Sequence, residues 1–232
     1  MSKIFLVLML FLSTMLSAEV IGAIKSVKGV VKSKGEDTFK KVKVKAGFDV
    51  NSGDLITTSR RGAVEIILKD GSTIILDASS TIHFGDKNSI EQEGGKIFYK
   101  ITSRDAKNSL KIKTPFAIIG IKGTTFVIDG KKDGSVSLKE GLIGVKSLQQ
   151  EFELYREKVQ QEFDNYISKQ QSAFEQFKNA QNEYAIAESV KEFDLKAGNR
   201  ISFNGQKVNE NSFGQKDNDE FEHFKELMNS MQ

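Results

Sequence analysis

The chain has 232 residues, with 34 Lys and Arg against 31 Asp and Glu, and its formal net charge is +3. It has no cysteine and only two histidines, which excludes a disulfide framework and disfavours a metal centre built from these residues. The length is sufficient for one domain, or for one domain with an appendage, that is stabilised by an ordinary hydrophobic core.

Residues 1–18 have the pattern of a secretory signal peptide. Lys3 supplies a positive charge, an apolar run extends from Ile4 to Leu16, and the small residue Ala18 precedes Glu19. At about 1.5 Å per residue this run would reach about 20 Å, which is short of a hydrocarbon core of about 30 Å. We therefore predict cleavage after Ala18 and a periplasmic location. An uncleaved membrane anchor is the alternative.

Residues 19–146 are basic, with 23 Lys and Arg against 15 Asp and Glu, and they have the pattern of many short strands. Two runs rich in β-branched residues are joined by Asp70-Gly71, which is the strongest short-range signal for a hairpin. Other glycine-containing turn signals recur at intervals of roughly 8 to 12 residues. The pattern predicts an all-β sandwich or solenoid, and spacing alone does not separate the two.

Several motifs in this segment occur in an order that resembles the FecR domain. They are, in chain order, Gly53-Asp54, Asp70-Gly71-Ser72, Thr114-Pro115 and Gly123-Thr124-Thr125-Phe126. The resemblance covers about residues 20–145. It implies a periplasmic all-β fold of twisted, solenoid-like character, with a role in signalling or protein interaction and no enzymatic activity. The founding regulators also have a cytoplasmic sigma-factor-binding segment and a transmembrane helix. The pattern of this sequence predicts neither, so the resemblance implies only the periplasmic sensing or binding module.

The motif residues are predicted to shape the backbone rather than to perform chemistry. Asp70-Gly71 would turn a hairpin, Pro115 would hold Thr114 in an extended conformation, and Gly123 would let the chain bend. The motif residues with a predicted structural role are Gly53, Asp54, Asp70, Gly71, Ser72, Thr114, Pro115, Gly123, Thr124 and Phe126.

Residues 147–191 are predicted to form a long helical arm. Aromatic residues recur there every eleven residues, and eleven residues make about three helical turns, so these side chains would share one face. The candidate interface residues on this face are Phe152, Tyr155, Phe163, Tyr166, Phe174 and Phe177. The size of the domain favours a helical hairpin, whereas the unbroken repeat favours a continuous rod that pairs as a coiled coil.

The remaining residues are acidic overall, and two further elements are predicted in them. Residues 192–208 alternate between apolar and polar side chains, which indicates closing β-strands of the FecR-like domain. Residues 209–232 are predicted to form a linker and a short amphipathic helix with Phe221, Phe224, Met228 and Met231 on one side.

A search for chemical motifs predicts no catalytic, cofactor-binding or metal-binding residue. His83 and His223 lie in different segments, which disfavours a shared metal site. The run from Gly120 to Thr124 lacks the spacing and the ending of a phosphate-binding loop. The acidic run that begins at Asp217 lacks the glycine and terminal glutamate of a calcium loop.

The sequence thus predicts a mainly β, FecR-like protein with an inserted helical arm and a short C-terminal helix. The predicted function is an exported, non-enzymatic module for protein interaction or signal sensing. Its partner would be another protein or a second copy of the chain, and not nucleic acid. The alternative is a structural envelope protein that binds anionic glycan or lipid through basic strands, since lysines are densest between Lys25 and Lys45.

Overall fold

The computed structural model describes residues 19–86, 88–102, 109–156 and 185–231. These residues form twenty strands and one helix. In chain order they are β1 (Val20–Lys28), β2 (Val31–Lys34), β3 (Val42–Lys43), β4 (Asp49–Asn51), β5 (Leu55–Thr58), β6 (Ala63–Leu68), β7 (Thr73–Leu76), β8 (Thr81–Phe84), β9 (Ser89–Gly94), β10 (Lys96–Ile101), β11 (Leu110–Lys113), β12 (Ile118–Ile121), β13 (Thr124–Asp129), β14 (Ser135–Glu140), β15 (Leu142–Lys146), β16 (Phe152–Arg156), β17 (Ala185–Val190), β18 (Glu192–Lys196), β19 (Asn199–Asn204), β20 (Lys207–Ser212) and α1 (Gln215–Ser230).

The strands form two sheets. Sheet A has eleven strands in the order β17-β16-β20-β19-β14-β13-β10-β7-β6-β1-β4, and sheet B has nine in the order β18-β15-β12-β11-β9-β8-β5-β2-β3. The chain crosses repeatedly from one sheet to the other, often after a hairpin of two strands. Each sheet therefore carries the early strands at one end and the late strands at the other.

One hydrophobic core lies between the sheets. Apolar side chains alternate along the strands, as in Val64, Ile66 and Leu68 of β6, so that one face of each strand is buried. Residues of sheet A such as Ile66 contact this core together with residues of sheet B such as Ile82 and Ile119. Burial of β-branched side chains on the facing surfaces is thus what holds the two sheets together.

The helix α1 covers the outer face of sheet A. Phe221, Phe224 and Leu227 are buried there in a second hydrophobic cluster that also contains Ile75 and Val127. These two sheet residues are the outward-facing neighbours of core residues on β7 and β13, so the alternation of each strand serves both faces. Sheet A is consequently buried on both sides over this area.

Polar contacts fix the start of α1 on the sheet. The Arg200 guanidinium lies 2.8 Å from Oδ1 of Asp217, and it donates a second hydrogen bond to Ser135. The other carboxylate oxygen of Asp217 accepts a hydrogen bond from the backbone N–H of Gly214, which caps the helix. Lys96 forms an ion pair with Glu220 one turn further on. These contacts set the direction in which the helix crosses the strands.

The predicted solenoid-like character is wrong. A solenoid stacks parallel strands from successive coils, whereas the neighbouring strands of the described residues are antiparallel except for the pairs β9–β11 and β16–β20. The Gly-containing turns that the sequence displays are of two kinds in the structure. Some, such as Gly71 between β6 and β7, close antiparallel hairpins within a sheet, and others, such as Gly53 between β4 and β5, lead from one sheet to the other.

The predicted long helical arm is also wrong in the part that the structure describes. Its first residues, from Phe152 to Arg156, form strand β16, and residues 185–190 near its end form strand β17. The two strands pair with each other, and β16 also pairs in parallel with β20. Hydrogen bonding to these neighbours outweighs the helical periodicity of the aromatic residues. Residues 157–184 of the predicted arm lie outside the described residues.

The C-terminal helix is present, at Gln215–Ser230. Phe221 and Phe224 are buried as the pattern predicts, while Met228 and Met231 are partly buried against the same cluster. Residues 207–212, which the sequence places partly in a linker, form strand β20. Among the described residues, no helix has the length and apolar character needed to cross a membrane.

Candidate binding surface

The motif residues of the β6–β7 connection form a tight hairpin turn. Gly71 has a φ of +81°, a conformation that glycine adopts without strain. The carboxylate of Asp70 accepts hydrogen bonds of 2.9 Å from both the backbone N–H and the hydroxyl of Ser72. The Ser72 hydroxyl also accepts a hydrogen bond from the N–H of Thr102, at the end of β10. This turn therefore ties the hairpin to the next strand of sheet A.

Gly53 and Asp54 form a second turn, between β4 and β5. Gly53 has a φ of +85°, and its N–H donates to the carbonyl of Phe84. The buried Asp54 carboxylate accepts a hydrogen bond of 2.9 Å from the N–H of Asn51. Because Asn51 and Phe84 end strands of different sheets, the turn links one end of sheet A to sheet B.

Thr114 and Pro115 open the turn that connects β11 to β12. The Thr114 hydroxyl accepts a hydrogen bond of 3.0 Å from the N–H of Ala117, and the Thr114 N–H donates to the carbonyl of Ala117. Pro115 is exposed and has no N–H to leave unpaired. Phe116 is buried and stacks on Phe203, with ring centroids 4.3 Å apart. The turn therefore anchors sheet B to the core.

Phe126 lies in the core beside a buried polar pair. Its ring stacks on that of Tyr99, with centroids 4.9 Å apart, and both side chains are fully buried. The Tyr99 hydroxyl donates a hydrogen bond of 2.9 Å to Oε1 of Gln92, whose amide group donates to the carbonyl of Ile128. Burial raises the pKa of Tyr99 well above its ordinary value of 10. Since Gln92 belongs to sheet B and Tyr99 to sheet A, this contact joins the sheets.

Two glycines at the β12–β13 and β14–β15 turns are required by the fold. Gly123 and Gly141 have φ values of +73° and +93°. A Cβ atom on Gly141 would lie 2.6 Å from the carbonyl oxygen of Gly123, which is closer than such atoms approach. The neighbouring Thr124 is buried, and its hydroxyl has no hydrogen-bond partner among the described residues. Gly141 thus leaves no space for a side chain, and the backbone conformation of Gly123 is one that favours glycine.

The outer face of sheet B, which we call the open face, is on the side opposite α1. Hydrogen-bonded partners place Ile118 and Gly120 of β12 beside Lys146 and Gly144 of β15. Leu142 lies two residues before Gly144, so its side chain shares this face, and it is 49% exposed. No helix among the described residues covers the open face.

Gly120 and Gly144 form a bare strip on the open face, which we call the glycine strip. They are directly opposite each other on neighbouring strands. Neither has a positive φ, and the nearest atoms to a Cβ on each would be 3.8 Å and 3.9 Å away, at ordinary contact distance. Glycine in a strand costs about 0.5–1 kcal/mol relative to alanine. The described structure requires glycine at neither position, so the strip exposes backbone to close approach from outside.

Replacing Gly141 with alanine should lower the free energy of unfolding by about 1–3 kcal/mol, because the new methyl group meets backbone and the φ is strained. Gly144→Ala should leave stability unchanged or raise it by up to about 1 kcal/mol, because alanine restricts the unfolded chain and fits the strand. Chemical denaturation of both variants measures the difference. Equal losses in the two variants would show that the fold itself requires glycine at position 144.

The remaining features of the described surface are a cavity, two separate histidines and scattered carboxylates. An open cavity of about 390 Å³ at the end of the sheets is lined in part by Glu19, Asp70 and Asp86. His83 lies on sheet B, whereas His223 of α1 is 2.9 Å from Asp77. Within the described ranges, no group of three or more His, Cys, Asp or Glu is placed to hold a metal ion.

Two of the six candidate interface residues lie in the described structure. Phe152 is buried and contacts Phe193 and Phe203 edge-on. Tyr155 is half-buried on the same strand. The other four residues, Phe163, Tyr166, Phe174 and Phe177, lie outside the described residues.

Sequence reasoning missed the glycine strip. In the sequence, Gly120 only begins a run that lacks the pattern of a phosphate-binding loop, and Gly144 has no signal of its own. The available clue was that each glycine alternates with large apolar residues, as Gly144 does with Ile143 and Val145, which places the glycine on the outer face when the apolar residues are buried. That the two are paired depends on the register of β12 and β15, which the sequence does not display.

The geometry can be compared with known proteins. Residues 54–144 match the family model described as FecR protein, so the predicted resemblance is confirmed over that range. Two crystal structures of a proposed anti-sigma factor from Parabacteroides distasonis are similar, with TM-scores of 0.46 and 0.45 at 14% and 15% identity. Each alignment covers 68% of this chain and 59% of the other. No protein with a curated description matches.

Proposed function

We propose, from the FecR match over residues 54–144, that this chain is a non-enzymatic signalling module that binds another protein through the open face of sheet B. The FecR family is regulatory, and a regulatory module of this kind acts through contacts with other proteins. The glycine strip is the observation that favours the open face as the binding surface. Two paired glycines that the described fold does not require are explained by a partner that approaches the backbone closely.

The partner that fits this surface is a protein segment with apolar side chains. Leu142 and the half-buried Ile118 flank the glycine strip and offer apolar area on an otherwise flat face. Lys146 lies next to Ile118 across the strands, and Asp194 lies next to Gly144, so the rim carries both signs of charge. An apolar centre with a polar rim is the usual composition of a protein interface.

We further propose that the module works in the periplasm after removal of residues 1–18. The support is the sequence pattern alone, namely the positive charge, the apolar run and the small residue Ala18. A module that receives a signal outside the cytoplasm would present the open face there to its partner.

The proposal can be tested by site-specific crosslinking, because the chain has no cysteine of its own. Leu142→Cys places a single thiol beside the glycine strip, where a bifunctional thiol-reactive crosslinker should give a discrete adduct in cells. Adding Gly144→Arg should abolish the adduct, because the long side chain occupies the space that the partner needs. The mass of the adduct distinguishes another protein from a second copy of the chain.

Two controls make the outcome specific. Gly94→Arg introduces the same side chain at another glycine of sheet B that has ordinary φ and open space at its Cβ, so the adduct at residue 142 should persist. Lys132→Cys places the thiol on an exposed turn away from the open face. The proposal is wrong if residue 132 gives the same adduct or if Gly144→Arg leaves the adduct at residue 142 unchanged.

A further inference from the structure

A second surface stands out at the edge of sheet B. Residues 31–45, which we call the basic hairpin, comprise β2, a turn, the edge strand β3 and the two residues that follow it. Three of the five large hydrophobic residues that are exposed in the described structure lie in or next to it: Val30, Phe39 and Val42. Single exposed apolar residues are ordinary, but their concentration at one edge is not.

Phe39 is the most unusual of these residues. Its side chain is 101% exposed, whereas every other phenylalanine in the described residues is buried or half-buried. The turn that presents it is closed by hydrogen bonds from the N–H and the hydroxyl of Thr38 to the carbonyl of Gly35. The ring is therefore held out from the body of the protein by an ordered turn.

Positive charge surrounds this ring without internal neutralisation. The hairpin has six lysines against two acidic residues, and these lysines are Lys32, Lys34, Lys40, Lys41, Lys43 and Lys45. Within the described parts of the chain, none of the six forms an ion pair. Lys32 and Lys43 are directly opposite each other on β2 and β3, an arrangement of like charges that destabilises a sheet.

The structure also separates these lysines from their neighbours in sequence. Lys25 belongs to sheet A and pairs at 3.1 Å with the buried Glu65, while Lys28 donates a hydrogen bond to Ser230 at the end of α1. Both therefore have a structural partner. The six lysines of the basic hairpin have no such partner in the described part of the chain, which leaves their charge available to an external anion.

We propose that the basic hairpin docks on an anionic lipid bilayer, with Phe39 inserted at the level of the headgroups and the flanking lysines in contact with lipid phosphates. Transfer of an aromatic ring from water to the bilayer interface is favourable, and the negative surface potential of the bilayer attracts each nearby lysine. The long lysine side chains can place their stems along the apolar layer and their charges at the phosphates. This proposal does not rest on the partner-binding role of the open face.

The test is the binding of the full chain to vesicles of phosphatidylcholine with 30% phosphatidylglycerol. Replacing three of the lysines together by glutamine, at positions Lys40, Lys41 and Lys43, should weaken binding about 100-fold. Each lysine near the bilayer surface contributes about fivefold to the affinity. Phe39→Ser should weaken binding about tenfold through the lost apolar contact. Raising the salt concentration from 50 to 500 mM should weaken binding of the parent chain more than tenfold.

Two controls separate the hairpin from the rest of the chain. Replacing the exposed Lys122, Lys132 and Lys207 by glutamine changes the net charge by the same amount at distant positions, and should weaken binding less than threefold. Vesicles of pure phosphatidylcholine measure the binding that does not depend on anionic lipid, to which residues 1–18 contribute equally in every variant. The proposal is overturned if both lysine triples weaken binding equally, or if Phe39→Ser has no effect on lipid while the hairpin lysines still bind an acidic polysaccharide such as heparin.

Discussion

Replacing Phe126 with alanine should lower the free energy of unfolding by about 3–5 kcal/mol, as expected for loss of a fully buried aromatic ring. The ring lies on β13, between β10 and β14 of sheet A, and stacks on Tyr99. Its removal leaves a cavity beside the hydrogen bond from Tyr99 to Gln92. That bond connects the two sheets, so the damage should extend to both.

Chemical denaturation with circular dichroism measures this effect. Tyr99→Phe is the matched variant, because it retains the stacked ring and removes only the hydroxyl that donates to Gln92. It should cost about 1–3 kcal/mol, the usual penalty for a buried acceptor left without its donor. Leu142→Ala, at an exposed position, should change stability by no more than about 0.5 kcal/mol. If Phe126→Ala costs no more than Leu142→Ala, the core is not centred where the structure places it.

Phe224→Ala should release the helix α1 from sheet A, with a loss of about 3–5 kcal/mol from the docking of the helix. The Phe224 side chain is 1% exposed, and its ring centroid is 5.6 Å from that of Phe98 on β10. Ion pairs of Asp217 and Glu220 hold the start of α1 on the sheet, whereas its later turns pack on the sheet through buried apolar side chains, so loss of Phe224 should release these turns. Without it, Ile75 and Val127 would face water.

Hydrogen exchange gives a direct measurement of this release. Backbone amides of α1 should exchange faster in Phe224→Ala, while those of sheet B should keep the protection seen in the parent chain. Glu226→Ala, on the exposed side of the same helix, should leave exchange in α1 close to that of the parent. Uniformly faster exchange across both sheets would contradict a helix that docks as a separate layer.

The sequence predicted those elements whose signals are local. The Asp70-Gly71 turn forms the expected hairpin because its hydrogen bonds involve residues two positions apart. The C-terminal helix follows from the spacing of Phe221 and Phe224, which lie on one face whatever they pack against. In both cases the information needed is contained in a few consecutive residues.

The predictions that failed required pairing information. Phe152 fits an eleven-residue helical repeat, but Phe152-Glu153-Leu154 fits the alternation of a strand equally well, and Phe152 and Leu154 are both buried. The choice is made by β20, a strand about fifty residues away that pairs in parallel with β16. The grouping of the lysines could not be predicted for the same reason, because Lys25 and Lys32 are close in sequence but lie on different sheets.

The order of strands in sheet B fixes the distance between the basic hairpin and the glycine strip. The basic hairpin is at one edge of the sheet, and six steps from strand to strand lead from β3 to β12, where Gly120 lies. At about 4.8 Å per step this separation is roughly 30 Å. If the hairpin rests on a bilayer with the strands of sheet B stacked away from it, the glycine strip lies at up to that height above the lipid. A partner could then bind the strip only if its binding segment lies at a matching distance from the lipid. Adding or removing a pair of strands would change that distance and so the partners that can bind.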